Sequence, residues 1–167
     1  MDSQCLSYLV DALTQISIPK DALALQRIAL AKIFFYCPGT LWTTPTVSRE
    51  CAKIRQIQRA ELHQSWILTH FGILPFDQSA TERRATDLSV LHSGKNDCLI
   101  LAEAEATGYD VLITNDRAFR RNLSPHSKVL LINPVEYWGS MAVPPGTVPS
   151  KAPTLDNPLS GQVWWRA

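Results

Sequence analysis

The 167-residue chain lacks any C-x-x-C pair: Cys5, Cys37, Cys51 and Cys98 stand apart, and the four histidines show no metal-ligand spacing beside them. That argues against zinc and leaves buried, reduced thiols of a cytoplasmic protein as the plainer expectation. No Ser/His/Asp or Cys/His arrangement offers a nucleophile. Neither charge prevails, with 16 Lys and Arg against 15 Asp and Glu and a formal net charge of +1. The total therefore announces neither a nucleic acid nor a membrane surface, although a local basic face remains open. No basic region leads into an apolar stretch near the start, and "IALAKIFFY" is too short to span a bilayer. No internal repeat is present. What remains is one domain by length, with a hydrophobic fraction of 46% to build its core.

Helical and strand-like patterns alternate along this domain. Leu6, Leu9, Val10 and Leu13 follow helical spacing, and Pro19 with Asp21 opens a second helix through about Phe35. "CPGT" breaks it. "LWT" reads as a short strand, and Thr44-Pro45 caps a third helix holding Val47, Glu50, Ile54 and Ile57, which continues or restarts toward Trp66. "FGILPF" is an apolar strand, and Asp77 caps a helix from Gln78 to about Leu91. A half-buried helix then runs to Gly108, with a buried strand from Asp110 to Thr114 and a short basic helix around Arg117 to Arg121. The strand "KVLLI" stops at Asn133-Pro134. This alternation predicts an α/β fold, a parallel sheet covered by helices.

The domain is expected to span residues 1–140. The rest, 141–167, contains "VPPGTVPSKAPTLDNP" and reads as an extended Pro-rich tail. It ends in "VWWRA", where Trp164 and Trp165 either anchor a partner or pack back on the same domain.

Asp97 and Asp116 stand at two ends of one helix–strand unit. A helix of about eleven residues and a strand of about five return the chain through roughly equal distances of 16 Å, so both aspartates finish at one edge. That edge is the carboxyl end of the strand, where open α/β sheets bind ligands. Asp2 precedes a helix and Glu50 lies one turn into another, positions that belong to the same edge. Taken singly, each acid also reads as a cap, a turn residue or a solvated charge. Together they would repel, unless a divalent cation joins them. Oxygen-only ligands favour Mg²⁺ or Mn²⁺.

"DSQCLSYLV", "TPTVSRECAKI", "NDCLILAEAEATG" and "LITNDRAF" together resemble segments of the PIN-domain family, compact metal-dependent ribonucleases that include VapC-type toxins. The resemblance covers about Asp2 to Trp138, and the last two segments in tandem are its most specific part. It implies a three-layer α/β/α sandwich whose central parallel strands lie in the order 3-2-1-4-5. It also implies Asp2, Glu50, Asp97 and Asp116 as catalytic, metal-binding acids, oriented by Thr114 and Asn115. The implied activity is Mg²⁺- or Mn²⁺-dependent endoribonuclease cleavage that leaves 5′-phosphate and 3′-hydroxyl ends. Arg49, Lys53, Arg55, Lys95, Arg117, Arg120 and Arg121 would line a groove for the RNA backbone. The implied partners are RNA, an antitoxin if the chain is the toxin of a type II pair, and a second copy in a homodimer, with no membrane. The alternative is a non-catalytic PIN-like module that binds RNA or protein. A receiver-type domain would need a lysine where Asn133-Pro134 stands. One departure is plain: the family's first aspartate ends the central apolar strand, whereas Asp2 here follows only Met1. Either the start is assigned too late or the sheet lacks its middle strand.

Overall fold

The structure is a computed structural model that describes residues 1–14, 17 and 20–167. Pro19, expected at the opening of the second helix, lies outside the described residues. Among the described residues eight helices dominate: α1 (Ser3–Leu13), α2 (Ala24–Tyr36), α3 (Pro45–Ala52), α4 (Ile57–His70), α5 (Gln78–Ser89), α6 (Lys95–Ala106), α7 (Arg117–Leu123) and α8 (Pro134–Ser140). The strands are β1 (Leu41–Trp42), β2 (Phe71–Gly72), β3 (Val111–Ile113) and β4 (Leu130–Ile132).

The local signals for starting and stopping act as expected. Thr44 and Asp77 each accept a hydrogen bond from the backbone N–H three residues on, which satisfies a donor the helix start would otherwise orphan; Asn133, expected only to stop a strand, does the same for α8. Gly108, at φ +74°, carries the left-handed turn that ends α6. The third helix stops and restarts: Lys53 closes α3, and α4 begins at Ile57.

The expected sandwich with a central parallel sheet is not what these elements build. Helix accounts for 56% of the described residues and strand for 6%, and the strands form two separate parallel pairs, β1 with β2 and β3 with β4. The reason is length. "LWTTP" gives only two residues to a strand before Thr44-Pro45 starts α3, and "FGILPF" gives only Phe71 and Gly72. Ladders of two or three residues make few bonds, so most apolar area is buried by helix on helix: α1 on α2, α2 on α8, α5 on α6, and α3 on α4 and α6. Between the strand pairs stand Met1 and Asp2. The Met1 nitrogen donates to Trp42 O at 3.1 Å, and Asp2 N donates to Ile113 O at 3.0 Å.

The C-terminal segment packs back on the domain, so the extended-tail expectation is also corrected. Trp165 is 3% exposed; its ring lies 4.4 Å from that of Phe35, and its Nε1 donates to Leu159 O. Lys151 N bonds Phe35 O, and Ala167 N bonds the Tyr36 hydroxyl. The proline-rich sequence has no helical period because it lies along α2 as irregular backbone. All four cysteines are free, with Cys5, Cys51 and Cys98 buried. Among the described residues no helix is long and apolar enough to cross a membrane.

Candidate functional site

Asp97 sits in the first turn of α6 rather than at its cap, which is Gly94. Its Oδ2 lies 2.8 Å from His92 Nε2, and the Asn122 amide nitrogen lies 3.2 Å from Nδ1 of the same ring. With that amide donating to Nδ1, Nε2 donates to Asp97. The His92 ring is itself buried and stacked on Phe119. Gly94 makes this approach feasible: a Cβ there would overlap the Asp97 carboxylate and come within 2.6 Å of His92 Nε2. The Asp97 carboxyl titrates above its ordinary range, chiefly because of burial. The His92 bond opposes that rise, while the charges of Asp116 and Glu50 add to it.

Glu50, on α3, reaches α6. Its Oε1 accepts from Asn96 Nδ2, and its Oε2 is buried without a hydrogen-bond partner among the described residues. The position of α3 depends on Glu103, a buried acid on α6 that accepts from Thr46 N at 3.0 Å and from the Thr46 hydroxyl at 2.7 Å. Thr46 is in the first turn of α3, where a carboxylate meets the positive end of the helix dipole.

Asp116 caps α7, its Oδ1 accepting from Phe119 N at 2.9 Å, and its own N–H donates to Thr114 Oγ1 at 3.1 Å. The Thr114 side chain also lies near enough to Asp2 to favour its ionised form. Asp2 is 5% exposed and caps α1 through Cys5 N at 2.7 Å. Burial raises its pKa, against the hydrogen bonds from Thr114 and Cys5, and lowers that of the adjacent Met1 ammonium. Asn115 Nδ2 is buried with no partner among the described residues. Asp97 thus feels the negative charge of both Asp116 and Glu50, and Asp2 lies beyond Thr114. Among the described residues, no three His, Cys, Asp or Glu side chains converge closely enough to cage a metal ion.

The basic residues divide in two. Arg49 is turned to Thr46 and Glu103, and Arg120 reaches Glu136 at 3.8 Å. Lys53, Arg55, Lys95, Arg117 and Arg121 are exposed. Sequence reasoning passed over His92, Gly94, Asn96 and Glu103. The first three share "HSGKND" with Asp97, a polar turn ahead of a helix start, which was the available signal. Glu103 left none, because its spacing matches a solvated helix face. Comparison with protein-family models, with curated proteins and with solved structures finds no match to the chain, so its chemistry rests on this geometry alone.

Proposed function

We propose that the chain is a divalent-metal-dependent endoribonuclease acting in the cytoplasm, with Glu50, Asp97 and Asp116 as its acidic centre. The observation that carries this reading is the combination of a raised Asp97, pushed up partly by the other two acids, with a buried and unpaired Glu50 Oε2. A cluster of like charge that leaves a carboxylate oxygen unsatisfied is relieved by a cation. The donors are all oxygen, which suits Mg²⁺ or Mn²⁺. The absence of a three-residue cage fits an ion held by one or two carboxylates that keeps water and substrate phosphate for its other positions, as Mg²⁺ commonly does. Glu50 and Asp97 would hold it, and it would supply charge to a phosphodiester under attack by water.

The remaining roles belong to the chain. Thr114 fixes Asp116 by accepting from its backbone N–H. Asp2 would serve as the buried cap of α1 rather than as a metal ligand. The exposed Lys53, Lys95 and Arg117 would attract the RNA backbone, whereas Arg49 and Arg120 are engaged in ion pairs. A toxin role with a cognate antitoxin extends the same proposal.

Melting of the parent, Asp97→Asn and Asp116→Asn with and without Mg²⁺ or Mn²⁺, beside cleavage of single-stranded RNA, tests it. The parent should gain thermal midpoint on adding metal and cut RNA, and both variants should lose cleavage and most of the shift. If all three melt alike with and without metal and none cuts RNA, the acids are structural caps and the non-catalytic binding module is the better reading.

A further inference from the structure

Between α2, α4 and the C-terminal segment lies a cavity of about 400 Å³, within the size range of small-molecule sites. Its wall is a cluster of three rings. Trp66 and His70 stand one turn apart on α4 with ring centres 4.4 Å apart, and both meet the buried Phe34 ring of α2 edge to face, at 5.6 and 5.5 Å. Leu13, Phe35 and Leu159 continue this apolar surface. Residues 151–154 close the other side, held by the bond from Lys151 N to Phe35 O and by the Lys151 ammonium on Gly39 O at 3.2 Å. The charge around this cavity is one-sided. Lys151 Nζ lies 5.4 Å from the centre of the Phe34 ring, on which His70 also packs, so two basic groups flank one ring. Burial, and after it the Lys151 charge, holds the His70 imidazole below its ordinary pKa. No acidic side chain lines the cavity, and among the described residues neither basic group forms an ion pair. Asp156 borders an adjoining recess and is exposed. The Phe34 ring and one carbonyl account for Lys151, but not for a histidine placed within reach of its charge.

We propose that this cavity binds a small aromatic monocarboxylate, its ring against Phe34 and Trp66 and its carboxylate at Lys151 and His70. The wall argues for the ring, because aromatic side chains offer flat apolar contact and edge-to-face partners. The basic pair argues for the carboxylate. An ammonium and an imidazole N–H are two donors for two oxygens, and the bond to the ammonium is charge-assisted. With His70 held neutral, the site carries the single positive charge of Lys151, which matches a monoanion. None of these residues belongs to the acidic centre, so the inference is independent of the nuclease reading.

The test is calorimetric titration of the full chain with phenylpropionate, with its neutral amide phenylpropionamide and with the ringless propionate, while nuclear Overhauser contacts locate the bound ring. Phenylpropionate should bind with a dissociation constant below about 1 mM, and the amide and propionate about tenfold or more weakly. Overhauser contacts should join its ring to Phe34 and Trp66. Lys151→Met keeps the stem over Phe34 and should weaken the acid about tenfold, whereas His70→Phe keeps the aromatic cluster and should weaken it about threefold. Both variants should bind the amide as the parent does, which reports that the cavity is intact. The proposal is overturned if acid and amide bind alike, if neither variant weakens the acid, or if the contacts lie outside the cavity. Propionate binding as tightly as phenylpropionate overturns it too, since a simple anion site would remain, as does the absence of binding at about 10 mM.

Discussion

Asp97 shows how closely one side chain depends on its neighbours. Its folded pKa is raised, so its carboxyl contributes stability that is fully present below the unfolded value and is lost as pH rises through the folded one. In chelator-treated buffer, Asp97→Asn should therefore melt with the parent near pH 3.5 and above it at pH 7, the gap opening as the parent ionises. Matching melting curves at every pH would show that burial and the neighbouring acids impose no strain. Gly94 is constrained by space rather than by φ. Gly94→Ala forces its new Cβ against the Asp97 carboxylate and should cost about 1–3 kcal/mol, measured by chemical denaturation. Combining it with Asp97→Ala should recover part of that loss, because the carboxylate clash is removed while the approach to His92 Nε2 at 2.6 Å remains. The sequence placed Asp97 near a helix start but not its pairing with His92, because a hydrogen bond across a five-residue turn has no periodicity to read.

At the level of elements, α3 and α6 are joined by the buried Glu103, and through that joint Glu50 comes to face α6. Glu103→Gln keeps the shape but removes the charge from the Arg49 pair and from the start of α3. A loss of about 2 kcal/mol in urea denaturation is expected. A variant as stable as the parent would show that the neutral hydrogen bonds suffice. The caps at Thr44 and Asp77 were legible because a cap is a local contact between a side chain and a backbone N–H three residues away; Asn133 was read only as a strand stop, so α8 was not foreseen. The strands were legible as positions but not as lengths. Whether an apolar run becomes ladder or loop depends on the partner it finds, and β1 and β2 find one another for only two residues.

Over the whole molecule, the C-terminal segment completes the core. Trp165→Ala should cost about 3–5 kcal/mol, and deleting residues 142–167 should lower the thermal midpoint on the order of 10 °C or more. A drop of only a few degrees would return the segment to the role of a loosely attached tail. The sequence by itself determined where most of the helices start and stop and that four acids recur at helix and strand ends. These are properties of neighbours along the chain. Only the tertiary structure decided that the sheet is two short pairs with Met1 and Asp2 between them, that Glu103 is buried, that Trp165 lies against Phe35, and that Glu50, Asp97 and Asp116 share one electrostatic neighbourhood. Each of these joins residues far apart in sequence, and their pairing is chosen by which arrangement buries the most apolar surface while leaving the fewest polar groups unsatisfied.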